Sequence, residues 1–338
     1  MGFLERIKEL AKLHPAKIIF PEGIDVRILT AVGKIIEEGT AKPFLLGDIE
    51  ELKKIAKLEN INVPWEKVPV IDPTDSDYID RYTELLIALR ADKGMTPKKA
   101  REQLKNPCYF ATMMLYHEEV DAMIAGATWS TADTIKPAFE IIKSKEEFHR
   151  ISSFFFMVQE KKDNDPSNDV FLFADSAINI DPTAEELAEI AIDTAETAKR
   201  FNIEPKVAML SFSTNGSGGD HPSVEKIQKA VEIAQKKRPD LIIEGEMQVD
   251  SALIPEVCEQ KFPNSKIQGR ANVLIFPDLN SGNISYKLVQ RLGKYKALGP
   301  ITQGLARPVN DLSRGCSVDD IINMAAISSI EVMASEYI

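Results

Sequence analysis

The chain is poor in cysteine and histidine, and this limits the chemistry that it can carry. Its 338 residues include only three cysteines, Cys108, Cys258 and Cys316, and four histidines. An odd number of scattered cysteines without a C-x-x-C motif argues against a disulfide framework and against a structural zinc site. We therefore expect a reducing, cytoplasmic compartment and no bound metal.

Basic residues are fewer than acidic ones, long apolar runs are absent, and aromatic residues make up only 7% of the chain. There are 41 Lys and Arg residues against 52 Asp and Glu residues, a formal net charge of −11. This balance argues against binding to nucleic acid or to an anionic membrane, so any anionic ligand needs a local site. No stretch approaches the roughly 18 apolar residues that span a bilayer, and the chain starts without an apolar leader. We expect a protein that is not exported.

What the sequence does contain is a regular alternation of short apolar runs and helical segments. The runs that precede a helical pattern are KIIF (17–20), PFLLGD (43–48), DAMIAGA (121–127), KVAMLSFS (206–213) and ANVLIFPDL (271–279). This order predicts largely parallel sheets covered by helices on both faces. Ligands of such sheets bind beyond the carboxyl ends of the strands.

Two polar segments interrupt the alternation, SKEEFHRIS at 144–152 and KYKALGP at 294–300. A third segment, KKDNDPSND at 161–169, is rich in turn residues and lies between apolar runs, which favours the tip of a hairpin. The length indicates about two domains. The pattern alone leaves open whether they follow one another or one is inserted into the other.

The stretch NDLSRGCSVDD at 310–320 has two compatible interpretations. Ser317 and Asp320 precede an apolar helical segment and match a capping box. A capping box does not require Ser313 or Arg314, and an arginine beside a helix N-terminus favours anion binding. The same stretch therefore predicts a helix cap and a candidate reaction centre.

Two other loops have a composition that suits an anion. STNGSGGDHP at 213–222 has three glycines ahead of a helix but matches neither the P-loop nor the dinucleotide fingerprint. GATWSTADTIKP at 126–137 brings hydroxyl groups and Lys136 to a helix start. For both loops the alternative is an ordinary connection with a capped helix, and His221 is then a residue near an N-cap.

Several further charged residues allow either a structural or a functional interpretation. Glu244, Glu246 and Asp250 are a candidate metal site, although their spacing fits no common ligand pattern. Thr183 and Glu186 predict a second capping box. In the basic segment at 89–104, Arg90 follows an apolar run and is the candidate for a buried ligand-binding residue.

Seven blocks of the sequence resemble the phosphate acetyltransferase (phosphotransacetylase) family. They are PEGIDVRIL, GATWSTADTIKPA, FADSAINI, KVAMLSFST, GEMQVDSAL, ANVLIFPDLNSGNISYKLVQRLG and GPITQGLARPVNDLSRGCSVDDI. They occur in family order over essentially the whole chain, and the last block is the most specific.

The resemblance implies two three-layer αβα domains with largely parallel sheets and a cleft between them. This fold is similar to the decarboxylating-dehydrogenase architecture. The first domain would comprise 1–148 plus 300–338, and 149–299 would form an inserted second domain. A homodimer is also implied.

The activity implied by the resemblance is reversible acetyl transfer between CoA and inorganic phosphate, through a ternary complex and without a metal or prosthetic group. Asp320 matches the family's proposed base, Ser313 the residue that steadies the oxyanion, and Arg314 an arginine that holds phosphate or CoA. The remaining positions that we expect to bind substrate are Arg90, Lys136, Ser130, Thr131, Ser213, Thr214, Gly216, Ser217, Asn283, Tyr286 and Lys287.

Three positions depart from the family pattern. Trp129 replaces a common histidine, Lys136 an arginine, and Asn215 a lysine. These changes leave open a preference for propionyl or butyryl groups, or a non-catalytic sensor of CoA or acyl phosphate. A metal-dependent decarboxylating dehydrogenase is a further alternative, against which the missing nucleotide fingerprint counts.

Overall fold

A computed structural model of the protein describes residues 2–145, 150–159 and 170–336. Its contacts divide the chain into two units. The terminal unit comprises residues 4–144 and 305–338, and the middle unit comprises residues 1–3 and 145–304. In the part of the chain that is described, no helix combines the length and the apolar character needed to cross a membrane.

The secondary structure alternates between strands and helices along most of the chain. The strands are β1 (Lys17–Phe20), β2 (Lys42–Leu46), β3 (Val70–Ile71), β4 (Ala122–Ala125), β5 (Ser152–Val158), β6 (Val170–Ala174), β7 (Lys206–Leu210), β8 (Ile242–Met247), β9 (Val273–Ile275), β10 (Lys296–Gln303) and β11 (Val309–Asp311). The helices are α1 (Phe3–Leu13), α2 (Val26–Glu38), α3 (Ile49–Leu58), α4 (Ser76–Leu89), α5 (Pro97–Leu104), α6 (Pro107–Tyr116), α7 (Thr131–Ile141), α8 (Ala184–Arg200), α9 (Pro222–Lys237), α10 (Val249–Leu253), α11 (Pro255–Lys261), α12 (Leu279–Arg291) and α13 (Val318–Glu336).

The terminal unit contains a five-stranded parallel sheet in the order β11-β4-β1-β2-β3. The central strand β1 is apolar and buried after Lys17, and every residue of β4 is buried, as expected for strands covered on both faces. Because β1, β4 and β11 are parallel neighbours, their carboxyl ends lie at one edge of the sheet. The loops that begin at residues 21, 126 and 312 therefore start at the same edge.

The middle unit contains a six-stranded sheet in the order β10-β5-β6-β9-β7-β8. Strands β6, β9, β7 and β8 are parallel, while β5 pairs antiparallel with both β6 and β10. The prediction of two αβα units, each a largely parallel sheet with helices on both sides, is confirmed. The predicted hairpin tip at 161–169 lies outside the described residues.

The segment KYKALGP at 294–300, which interrupts the alternation in the sequence, is part of the sheet of the middle unit. Most of this segment belongs to strand β10, which lies at the sheet edge and pairs with β5. The register shifts between Leu298 and Ile301, where Pro300 lies, and such irregular edge positions tolerate proline. The domain boundaries inferred from the sequence, 148/149 and 299/300, stay a prediction.

Candidate active site

Three loops meet at the carboxyl edge of the terminal unit's sheet. The amide of Leu312, just after β11, donates to the carbonyl of Ala125 at the end of β4 over 2.7 Å. Gly126 has φ +102°, and a Cβ on it would lie 2.2 Å from Oδ1 of Asp311. Only glycine allows the loops after β4 and β11 to approach this closely.

Glu22, on the loop after β1, holds the loop after β4. Its buried carboxylate accepts hydrogen bonds from the amides of Gly126 (2.8 Å), Ala127 (3.0 Å) and Thr128 (2.6 Å). The hydroxyl of Thr128 donates to the same carboxylate. Consecutive backbone amides of this kind form an anion cradle, and here the protein fills it with its own carboxylate.

Arg27 connects all three loops. Its guanidinium donates to the carboxylate of Asp25, to the carbonyl of Ala127 and to the carbonyls of Arg314 and Cys316. Burial raises the pKa of Asp25, but the hydrogen bonds from Arg27 outweigh this effect and hold the pKa below its usual value. The sequence interpretation did not select Glu22, Asp25 or Arg27, although all of them follow a predicted strand, where ligands of parallel sheets bind.

Asp320 takes part in the predicted capping box at the start of α13, which is confirmed. Its Oδ2 accepts from the Ser317 amide (2.8 Å) and hydroxyl (2.8 Å), and its own amide donates to the Ser317 hydroxyl (3.2 Å). Oδ1 of Asp320 has no hydrogen-bond partner among the described residues. The capping box therefore leaves one carboxylate oxygen of this exposed residue available for other chemistry.

Ser313 and Arg314 are exposed on the turn that precedes this capping box. The Ser313 hydroxyl accepts from the amide of Gly315 (3.3 Å), and the Ser313 carbonyl accepts from the amide of Cys316 (2.8 Å). The guanidinium of Arg314 makes no hydrogen bond or ion pair with any residue that the structure describes. Hydroxyl, guanidinium and carboxylate thus follow one strand end within eight residues, at the N-terminus of a long helix.

Asp311 is a second carboxylate at this edge of the sheet that the sequence interpretation missed. Its side chain is 2% exposed, its Oδ2 accepts from the Thr131 hydroxyl (2.5 Å), and its Oδ1 has no described partner. Burial raises its pKa to about 6 despite the hydroxyls of Thr131 and Thr134, and the negative charge of Glu22 adds to the rise.

Three of the other predicted residues of the terminal unit, Ser130, Thr131 and Arg90, have internal contacts. Ser130 is the N-cap of α7, and Thr131 is committed to the carboxylate described above. Lys136 is exposed on α7. Arg90 pairs with Glu140 of α7 at 3.3 Å, and its side chain is half-buried.

In the middle unit, the glycine-rich loop after β7 surrounds a carboxylate of the protein. Glu246 accepts from the Ser213 hydroxyl (2.8 Å) and the Gly216 amide (2.7 Å). The Thr214 amide donates to the Ser217 hydroxyl (3.0 Å). Asn215 has φ +49°, a left-handed conformation that asparagine adopts more readily than lysine. Of the four predicted residues, Ser213 and Thr214 are buried, while Gly216 and Ser217 are exposed.

Helix α12 carries the remaining predicted residues. Asn283 donates to the carbonyl of Ser176 and accepts from the ammonium of Lys287. The ring of Tyr286 stacks on Phe155 with 4.1 Å between the ring centroids. Strands β7 and β9 are parallel neighbours, so the glycine-rich loop and the start of α12 lie at the same edge of this sheet.

The three carboxylates considered for a metal each have donors of their own. Glu244 accepts from Ser265, Glu246 holds the glycine-rich loop, and Asp250 pairs with Lys261. Among the described residues, no group of three or more His, Cys, Asp or Glu side chains is arranged to hold a metal ion. His221 is the N-cap of α9, in agreement with its structural interpretation.

Comparison with known proteins covers both units of the chain. Residues 2–329 match the family described as phosphate acetyl/butaryl transferase. The chain belongs to this family. It is 47% identical to a phosphate acetyltransferase of Thermoanaerobacterium thermosaccharolyticum, over 98% of this chain and 99% of the relative. It is 44% identical to a phosphate acetyltransferase of Bacillus subtilis, over 97% and 98% of the two chains.

The fold agrees with these relationships. A solved phosphotransacetylase from Streptococcus pyogenes superimposes with a TM-score of 0.91 at 43% identity, with 98% of each chain covered. The resemblance to the phosphate acetyltransferase family that the sequence motifs indicated is confirmed, and the chain is an acyltransferase.

Proposed function

We propose that the protein transfers an acetyl group reversibly between CoA and inorganic phosphate. The observation that carries this proposal is the arrangement of Ser313, Arg314 and Asp320 around the start of α13. All three are exposed, the guanidinium of Arg314 and Oδ1 of Asp320 have no partner among the described residues, and the surrounding loops are held by buried contacts. Family membership over the whole chain supports the same activity.

In the proposed mechanism, Asp320 assists the attack of the CoA thiol on the acetyl carbon. A thiol with a pKa near 8.5 is only a few per cent ionised at pH 7, and a general base typically contributes about 10²- to 10⁴-fold. An aspartate with a reference pKa of about 3.9 makes full proton transfer roughly 6 kcal/mol uphill. The proton transfer to Asp320 is therefore proposed to be concerted with the attack rather than complete before it.

Ser313 and Arg314 supply the electrostatic part of the mechanism. Attack builds negative charge on the carbonyl oxygen, and one donor such as the Ser313 hydroxyl is worth about 3–4 kcal/mol in the transition state. Arg314 offers a planar pair of donors to the phosphate as it leaves. The N-terminus of α13 adds a favourable dipole for both anions.

The middle unit is proposed to contribute contacts to substrate from its exposed positions. Ser217, Tyr286 and Lys287 have side chains that are exposed or half-buried. Ser213 and Gly216 bind Glu246 and are better suited to shaping the loop than to contacting substrate. Thr214 and Asn283 also have internal partners, so we assign them the same supporting role.

The substrates and conditions follow from this assignment. The partners are acetyl-CoA, CoA, inorganic phosphate and acetyl phosphate, and we propose that no metal or prosthetic group is required. Three free, buried cysteines support a reducing, cytoplasmic location.

The experiment follows acyl-CoA formation from acetyl, propionyl and butyryl phosphate, with and without EDTA. We expect the highest kcat/KM with acetyl phosphate and no loss with the chelator. A preference for butyryl phosphate would contradict the acetyl assignment, and CoA binding without turnover of any acyl phosphate would contradict the enzymatic one. Loss of activity in EDTA, restored by Mg²⁺, would contradict the proposal of metal-free chemistry.

A pair of variants separates the catalytic role of Asp320 from its capping role. Asp320→Asn should lower kcat by at least about a hundredfold, because it removes a general base. Ser317→Ala removes the other half of the capping box and should cost about 1 kcal/mol of stability with kcat nearly unchanged. The measurements are steady-state kinetics and thermal unfolding of both variants. If the two variants lose stability equally and both retain turnover, Asp320 is only a cap.

A further inference from the structure

The guanidinium of Arg27 has its full set of donors occupied by the protein. Nε and one N–H of Nη2 bind the two carboxylate oxygens of Asp25 at 3.1 and 2.8 Å, and the other N–H of Nη2 binds the Ala127 carbonyl at 2.7 Å. Nη1 binds the carbonyls of Arg314 at 2.8 Å and Cys316 at 3.2 Å. A guanidinium has five N–H donors, so none remains for a ligand.

We propose that Arg27 is a positioning residue that holds the Ser313–Arg314 turn in its reactive geometry. This inference rests on the proposed function, because it takes Ser313 and Arg314 to be the groups that act on substrate. Arg27 itself does not contact substrate and acts only through the backbone of the turn.

Between the buried side chains of Leu312 and Cys316, the turn has few anchoring contacts of its own. Ser313, Arg314 and Gly315 are exposed, so packing does not fix their backbone. Within the turn, the described bonds are those from the Gly315 amide to the Ser313 hydroxyl and from the Cys316 amide to the Ser313 carbonyl. The two carbonyls of this turn that Arg27 binds, those of Arg314 and Cys316, lie on either side of Gly315, the most permissive residue of the turn.

Arg27 is itself well anchored. Asp25 is the N-cap of α2, accepts from the Arg27 amide, and pairs with the guanidinium through both oxygens. The bond to Ala127 ties the same group to the loop that Glu22 holds. Arg27 thus fixes the turn relative to two segments at this edge of the sheet, the start of α2 and the loop after β4. Both segments have hydrogen bonds of their own.

Lysine cannot replace this arrangement. An ammonium is a point charge with three donors. It can pair with Asp25, but it cannot also bind the three carbonyls of Ala127, Arg314 and Cys316. Displacement of a catalytic group by about 1 Å can cost on the order of a hundredfold in rate. We therefore expect Arg27→Lys and Arg27→Gln each to lower kcat by about tenfold or more, with a smaller change in KM for CoA and phosphate.

A double-mutant cycle tests the inference. Kinetics are measured for Arg27→Gln, for Ser313→Ala with Arg314→Gln, and for the triple variant. If Arg27 acts through the turn, its substitution should have almost no further effect once Ser313 and Arg314 have been replaced. Additive losses in kcat would overturn the inference. Arg307→Gln, which breaks an ion pair with Glu118 in the same unit, is the matched control and should leave kcat unchanged.

The outcomes distinguish this inference from the proposed function. If Ser313→Ala and Arg314→Gln alone leave kcat unchanged, the proposed site is wrong. If they lower kcat and Arg27→Gln and Arg27→Lys do not, only the positioning role is wrong. Should Arg27→Gln fail to fold, Arg27→Lys enters the cycle in its place, since it keeps the charge beside Asp25.

Discussion

Arg314 and Lys136 are both exposed cations of the terminal unit, but they offer phosphate different geometries. The planar guanidinium can bind two oxygens at once, whereas the ammonium acts as a point charge. We therefore predict that Arg314→Gln lowers kcat far more than Lys136→Gln does. Steady-state kinetics with acetyl phosphate check this ranking, and equal losses in kcat would contradict it.

The buried carboxyl of Asp311 predicts that the stability of the protein depends on pH. Burial raises its pKa to about 6, so the folded protein holds this proton more tightly than the unfolded chain does. Its contribution therefore favours folding at low pH and is lost as the pH rises through about 6. Asp311→Asn removes this titration. The free energy of unfolding of the wild type minus that of the variant should therefore be about 1 kcal/mol lower at pH 7 than at pH 5.

Denaturant unfolding at the two pH values measures this difference. The control is Asp319→Asn, at an exposed position in the first turn of α13, which should show a much smaller change relative to wild type. A wild-type to Asp311→Asn difference that does not vary with pH would show that this carboxyl does not titrate in this range.

At the scale of elements, two loops are organised around buried carboxylates rather than around a bound anion. Glu22 holds the loop before α7, and Glu246 holds the loop before α9. Burial raises the pKa of Glu246, but hydrogen bonds from Gly216, Ser213 and Gln228 outweigh it and lower the pKa overall. The charged form of Glu246 therefore stabilises the loop above the ordinary pKa of a glutamate, and this contribution is lost as the pH falls.

Glu246→Gln should loosen the glycine-rich loop. The Gly216 amide and the Ser213 hydroxyl both donate to Oε1, and Gln228 donates to Oε2. Glutamine has a single, uncharged oxygen, so it cannot accept from all three donors and accepts from each less strongly than a carboxylate does, and one unsatisfied buried group costs about 1–3 kcal/mol. We expect lower stability and faster amide hydrogen exchange at Gly216. Glu225→Gln, in the first turn of α9, is the control. Unchanged exchange at Gly216 in Glu246→Gln would show that the loop does not depend on this carboxylate.

At the scale of the whole molecule, α12 and its C-cap carry a row of exposed apolar side chains. Ile284, Leu288 and Leu292 recur every four residues and are 56%, 52% and 78% exposed. We propose that this row lies in the interface of a homodimer. Light scattering should then give a mass about twice that of the 37.6 kDa chain.

Leu288→Glu should shift this mass toward the monomer, since it places a charge in the middle of the row. Ile180→Glu, at an exposed apolar position of a loop in the same unit, is the control and should leave the mass unchanged. A monomeric wild type would contradict the dimer, and a Leu288→Glu dimer would place the interface elsewhere.

The features that sequence patterns predicted correctly are local ones. Strands such as β1 and β4 are continuous apolar runs, and the capping boxes at Thr183 and Ser317 depend on residues three positions apart. Strand β10 was not predicted, because it depends on a partner that is distant in the sequence. Its segment is polar and contains a Gly-Pro pair, and it is a strand because it pairs with β5.

Family, class of fold and the identity of Ser313, Arg314 and Asp320 as candidate catalytic residues were thus accessible from residue order, because motifs and periodicity are local signals. Only the tertiary structure shows three further features. Asp311 is buried, Glu22 and Glu246 accept hydrogen bonds from the amides of two loops, and Arg27 joins three loops. Arg27 binds carbonyls 100 and 287 positions away in the chain. No local spacing encodes such contacts, because it is the parallel order of the strands that brings the loops to one edge of the sheet.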